Sequence, residues 1–105
     1  MLRLEIRHKT KGTSSFESTK GQVFLGRDRS MDIVLDDPLV SRQHAVIIHR
    51  GSESVLQDMG GKNPIRVNGR PVVSHVLAPG DEIEIGETVL TFSPSEGSTP
   101  SLLRG

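Results

Sequence analysis

Apolar and polar residues alternate over short stretches along most of this chain. In LRLEIR (residues 2–7), Leu2, Leu4 and Ile6 fall on one side of an extended backbone, and Arg3, Glu5 and Arg7 on the other. QVFLG (22–26), DIVL (32–35), HAVIIHR (44–50), ESVLQD (53–58), IRVN (65–68), EIEI (82–85) and TVLTF (88–92) follow as further strand-length segments. Between them lie KGTSS, RGS, GGKNP, NGRP, APGD and IGE, where glycine, proline, asparagine and aspartate supply turn geometry. No window carries helical periodicity over roughly ten residues or more. Short strands at close spacing predict an all-β fold, an antiparallel β-sandwich.

Composition narrows the class further. At 105 residues the chain makes one domain, burying ~65% of its unfolded surface. Only 33% of residues are hydrophobic and the aromatics are three Phe. The core is therefore built from Val, Ile and Leu, and the β-branched members of that set favour strands. There is no cysteine, which excludes disulfides and thiolate metal sites and fits a reducing, cytoplasmic setting. No apolar run approaches the ~18 residues of a membrane span, and MLRLEIRHK lacks the apolar stretch of a signal peptide. From Ser93 onward the chain reads SPSEGSTPSLLRG, with little to bury. We therefore expect a domain over 1–93 and a flexible Ser/Pro/Gly-rich tail over 94–105, as in an N-terminal module of a longer protein. Thr99, followed by Pro100, is a candidate kinase target on that tail, with an ordinary linker as the plainer alternative.

Charge removes another class. Thirteen Lys and Arg balance thirteen Asp and Glu. The start is basic (Arg3, Arg7, Lys9, Lys11) and the end acidic (Asp81, Glu82, Glu84, Glu87, Glu96). Nothing here forms the broad basic face that nucleic acid requires, so an anion site must be local.

The candidate chemistry centres on VSRQHAVII (40–48), where Ser41 and His44 lie three residues apart. A catalytic Ser–His pair needs an orienting acid and an oxyanion hole. Asp36, Asp37 or Asp58 offers the acid, but no G-x-S-x-G turn exists and no strand–turn–helix presents one. The chain is not expected to be an enzyme. His44 and His49 point to opposite faces of one predicted strand and cannot share a metal ion, so neither a metal nor a cofactor is expected. The third possibility is an anion-binding loop cluster made by Arg27, Ser41, Arg42, Lys62 and Asn63. Sandwich loops gather at the sheet ends, and guanidinium, hydroxyl, amide and ammonium suit a phosphate monoester. Alternatively Arg27 pairs with Asp28, Asp32, Asp36 or Asp37, and spacing alone leaves both arrangements open.

Five elements in order, Gly26-Arg27, VSRQHA (40–45), DMGGKN (58–63), VNG (67–69) and LAPGDEIEIG (77–86), resemble the forkhead-associated (FHA) domain. The resemblance implies an eleven-stranded sandwich that binds phosphothreonine peptides through loops at one end. It implies that Arg27 and Ser41 grip the phosphate, that Arg42 adds a contact and that Asn63 holds the peptide backbone. Lys62 stands where the family often has a hydroxyl. His44, Gly26, Asn68 and Gly69 are then structural supports of the binding loops. The implied partner is a phosphothreonine-containing protein, a Ser/Thr kinase or its substrate, with no nucleic acid and no membrane involved. The implied role is recruitment in kinase-dependent signalling or secretion, and the alternative is an FHA-fold scaffold or oligomerisation domain that binds without phosphate. The chain departs from the family's pattern at DMGGKNPI (58–65), where Gly61, Lys62 and Pro64 replace Ser, Thr and Gly.

Overall fold

A computed structural model describes residues 2–93. The expected tail over 94–105, with Thr99, lies outside the described residues. Eleven strands form two sheets: β1 (Leu2–His8), β2 (Gly12–Ser18), β3 (Gln22–Gly26), β4 (Ile33–Val34), β5 (Ala45–Arg50), β6 (Glu53–Asp58), β7 (Ile65–Val67), β8 (Arg70–Val72), β9 (Ser74–Val76), β10 (Glu82–Ile85) and β11 (Thr88–Phe92). One sheet runs β2-β1-β11-β10-β7-β8 and the other β4-β3-β5-β6-β9. Neighbouring strands pair antiparallel except β3 and β4, which run parallel with Leu25 opposite Ile33. No helix among the described residues is long and apolar enough to cross a membrane.

The alternation seen in the sequence is the physical basis of the sandwich. Leu2 and Leu4 from β1, Ile83 and Ile85 from β10, and Leu90 and Phe92 from β11 face the core from the six-stranded sheet. Val23, Leu25, Ala45, Ile47 and Leu56 meet them from the other sheet, and all are buried. Each fully buried Leu, Ile or Val contributes about 1.5–3 kcal/mol of transfer free energy. The intervening residues of the six-stranded sheet carry charge outward, with exposed Arg3–Glu17 and Arg7–Glu82 pairs at 3.3 and 3.5 Å. Such exposed pairs add little to stability.

The structure departs from the sequence expectation mainly at the sheet margins. β2, β8 and β9 were not anticipated, and β4 has two residues where DIVL suggested four. All four are edge strands. An edge strand is paired on one side only and buries little, so its side chains need not alternate. β2 is a case in point, with Phe16 and Ser18 its most buried residues and neither fully so. Pro71 fits β8 because an edge strand has no second neighbour waiting for the missing N–H.

The two ends of the sandwich do different jobs. At one end lie the β3–β4, β4–β5 and β6–β7 loops, with the turns β1–β2 and β10–β11. At the other lie the β5–β6 and β7–β8 turns and residues 77–81. Asn68 (φ 53°) and Gly69 (φ 87°) make the β7–β8 turn at this second end. Asn68 donates from Nδ2 to Asp81 Oδ1 at 2.9 Å, and Glu82 N donates to Asn68 Oδ1 at 3.0 Å. The two residues expected to support the binding loops therefore shape the opposite end, because β7 carries the chain from one end of the sandwich to the other.

Asp81 and Asp37 are both buried carboxylates. Burial, the largest influence, raises each pKa, but hydrogen-bond donors outweigh it and hold both below the usual carboxylate range. For Asp81 the donors are Ala78 N, Asn68 and His75; for Asp37 they are Leu39 N, Glu87 N and the Thr88 hydroxyl, helped by His8. A carboxylate with a depressed folded pKa contributes stability above its unfolded value of ~3.9, and loses that contribution as pH falls through the folded value. Thermal melts followed by circular dichroism should thus be nearly flat from neutral pH to about pH 5 and drop steeply below about pH 4. Asp81→Asn should be less stable at neutral pH and flatten part of the acid drop; an unchanged profile would remove Asp81 from the account.

Candidate functional site

Gly26 ends β3 at the first of these ends. A Cβ built there would lie 2.0 Å from the Arg42 carbonyl oxygen, so only glycine lets the two backbones approach. The approach is held by Arg27 N to Ser41 O (3.0 Å), Asp28 N to Arg42 O (3.2 Å) and His44 N to Leu25 O (2.9 Å). These bonds fold VSRQH over the end of β3. Arg27 donates from Nε to Val40 O at 2.9 Å, which orients its exposed guanidinium. Its two terminal nitrogens make no hydrogen bond or ion pair among the described residues.

The nearby acids are engaged elsewhere, which decides between the arrangements that spacing left open. Asp28 accepts from Ser30 N at 3.0 Å and from its hydroxyl, and these bonds, with a smaller effect from Arg42, hold its pKa low. Asp32 accepts from Phe24 N at 2.8 Å and pairs with Lys20. Asp36 pairs with Lys11 at 2.9 Å, and Asp37 is buried.

His44 is buried with no exposure and joins two loops. Ser41 N donates to His44 Nδ1 at 3.0 Å, so the ring proton sits on Nε2 and is donated to Asn63 O at 2.8 Å. The ring fills the space beside Gly61, where a Cβ would come within 2.5 Å of it. Lys62 N donates to Ser41 Oγ at 3.0 Å, which leaves the Ser41 hydroxyl proton to donate outward. Asn63 donates from Nδ2 to Leu39 O at 2.7 Å. Asp58 starts the same loop by accepting from Gly60 N (2.7 Å) and Gly61 N (3.2 Å).

The sequence-predicted residues Arg27, Ser41, Arg42, Lys62 and Asn63 are thus brought to one end, on three segments tied through His44. Arg42 and Lys62 are exposed there. Beside Asn63, an open groove of ≈ 290 Å³ is lined by Leu39, Pro64, Arg66, Glu84 and Gly86. Sequence reasoning did not single out Leu39 or Arg66, which reach the groove from a loop and from β7. Among the described residues no group of three or more His, Cys, Asp or Glu is placed to hold a metal ion.

Comparison with known proteins bears on what such a site serves. A family model described as the FHA domain matches residues 23–86. The chain is 48% identical over 67 residues to the glycogen accumulation regulator GarA of Mycolicibacterium smegmatis, covering 64% of this chain and 42% of that protein. It therefore spans less than half of that relative's length. Among solved structures it is similar to an FHA domain studied for phosphothreonine-dependent interactions, with a TM-score of 0.78 and 28% identity, covering 89% of this chain and 95% of that one. It is also similar to Mycobacterium tuberculosis EmbR in complex with a low-affinity phosphopeptide, with a TM-score of 0.77 and 29% identity, covering 87% of this chain and 24% of that one.

Proposed function

Because this chain belongs to the forkhead-associated domain family, we propose that it recruits phosphorylated partners by binding a phosphothreonine and the residues that follow it. The observation that carries this reading is the convergence of Arg27, Ser41 and Asn63, with His44 bonding to the Ser41 and Asn63 segments at 3.0 and 2.8 Å. A phosphothreonine brings roughly −1.5 to −2 charges and three acceptor oxygens. The Arg27 fork and the Ser41 hydroxyl supply directed donors for it, and Arg42 and Lys62 add charge at the rim. Lys62 takes the place of a hydroxyl with an ammonium, which strengthens attraction and relaxes direction. Asn63 fixes the peptide backbone, and the groove beside Leu39 and Arg66 receives the residues after the phosphothreonine.

In this reading the binding unit is 1–93, it carries out no catalytic step, and its partner is a Ser/Thr kinase or a kinase substrate in the cytoplasm. The relatives are similarly regulators by name or bind phosphopeptide. The test is calorimetric titration with a degenerate phosphothreonine peptide library beside matched phosphoserine and unphosphorylated libraries. A dissociation constant in the micromolar range, equivalent to about −8 kcal/mol, is expected for phosphothreonine alone. Equal binding of phosphorylated and unphosphorylated peptides would replace this function with the phosphate-independent scaffold.

A further inference from the structure

Asp37 sits in the β4–β5 loop with no exposed surface. Its Oδ1 accepts from Leu39 N at 2.9 Å. Its Oδ2 accepts from Glu87 N at 2.8 Å and from the Thr88 hydroxyl at 2.9 Å. Its own carbonyl accepts from Val40 N at 2.9 Å. Leu39 and Val40 belong to its own loop, whereas Glu87 lies in the β10–β11 turn and Thr88 begins β11 in the opposite sheet, about fifty residues away. One carboxylate therefore bridges the two sheets at the binding end.

The pocket around that carboxylate is built for it. Gly86 has φ +62°, and a Cβ there would stand 2.9 Å from Asp37 Oδ2. On the other side lies His8, the cross-strand neighbour of Thr88. Thr10 N donates to His8 Nδ1 at 3.1 Å, which puts the proton of a neutral ring on Nε2. That Nε2 is buried without a hydrogen-bond partner and lies 3.5 Å from Asp37 Oδ2. A buried carboxylate is tolerated only when donors surround it, and charge-assisted bonds in a dry site are roughly twice as strong as neutral ones.

What the carboxylate holds is the segment that carries the site. Leu39 O receives Asn63 Nδ2 at 2.7 Å, Val40 O receives Arg27 Nε at 2.9 Å, and Ser41 follows directly. We propose that Asp37 is a positioning residue for phosphopeptide binding, clamping residues 37–41 to the β10–β11 turn so that the Leu39 and Val40 carbonyls keep Asn63 and Arg27 in place. The proposal rests on the phosphothreonine-binding function above and adds to it a requirement located in the opposite sheet. Binding geometry must hold within about 0.5 Å to be productive, so a loop that loses one of its anchors binds less well even while the domain stays folded.

Thr88 allows a clean test, because valine has nearly its shape and lacks its hydroxyl, whereas serine keeps the hydroxyl. The measurements are titration with the phosphothreonine library at a temperature where each variant is folded, and the NMR resonance of the Arg27 Nε–H in the free protein. Thr88→Val should weaken binding by about 5- to 10-fold, the low end of typical coupling between sites, and shift the Arg27 Nε–H signal or speed its exchange. Thr88→Ser should stay within about 2-fold of the parent and restore the Arg27 signal. A purely structural Thr88 would lower the melting temperature and leave both readouts unchanged, which would overturn the proposal. If Thr88→Val does not fold, Asp37→Asn takes its place with the same expectation and the same refutation. If the parent protein binds no phosphopeptide, the proposed function falls, and the Arg27 signal in the free protein alone decides the clamp.

Discussion

Arg27→Ala is expected to abolish measurable phosphothreonine binding and to leave the domain folded. Arg27 is exposed, and its side chain makes one described hydrogen bond, from Nε to Val40 O. Losing one such bond costs about 1 kcal/mol of stability. Its two terminal nitrogens, by contrast, are the directed donors for the phosphate in the proposed function. Hydrogen bonds to charged groups are worth about 1.5–3 kcal/mol each. Losing two of them means about 3–6 kcal/mol, a factor of roughly one hundred to ten thousand, which moves a micromolar complex to about 0.1 mM or weaker. Arg27→Lys should fall between, since it keeps charge and loses the planar fork. Calorimetry on the folded variants reads this directly. Undiminished capture of the partner by Arg27→Ala would instead establish phosphate-independent binding.

The largest loss of stability is expected from Gly26→Ala. The new methyl would stand 2.0 Å from Arg42 O, a contact that backbone atoms cannot accept without moving apart. Separation breaks the bonds from Arg27 N to Ser41 O, from Asp28 N to Arg42 O and from His44 N to Leu25 O. At about 1 kcal/mol each, and with the His44 contacts disturbed as well, the cost is about 3 kcal/mol or more. For a domain of this size that corresponds to a fall in melting temperature of roughly 12–24 °C. Gly69→Ala makes a useful contrast. Nothing lies within 4 Å of its Cβ position, but its φ of +87° disfavours a side chain. Its cost should be near 1 kcal/mol, and binding should be unaffected because the turn is at the far end. Urea unfolding of the two variants separates the cases. A Gly26→Ala protein no less stable than Gly69→Ala would show that the close approach is not required.

Much of the site was legible because its residues come in short runs. Gly26-Arg27 lies at the end of a strand whose alternation is plain, and VSRQH precedes another, so their convergence followed from sandwich geometry. The role of His44 was less accessible. Its position in the run matched the family, but only the fold shows one ring nitrogen taking Ser41 N and the other meeting Asn63 O. Asn68 and Gly69 stand in the run that resembles the family, yet their turn serves the opposite end. Asp37 stood out in sequence only as a possible triad acid or ion-pair partner. Its bonds to Glu87 and Thr88 span too much chain for any spacing to reveal. The alternation of Leu2, Leu4 and Ile6 does continue to His8, and that was the one available signal that His8 points inward.

By itself the sequence determined the interior of both sheets. β1, β3, β5, β6, β7, β10 and β11 each have neighbours on both sides, and each writes its burial into a run of apolar residues or a two-residue period. It also determined which residue types gather at the candidate site, since those sit beside the strands it defined. Tertiary structure alone decided the edge strands β2, β8 and β9, the two-residue length of β4 and its parallel pairing with β3, and the hydrogen bond from Thr88 to Asp37. The physical reason is shared. A central strand is specified by its own pattern of burial, whereas an edge strand or a cross-sheet hydrogen bond depends on what a distant part of the chain presents to it.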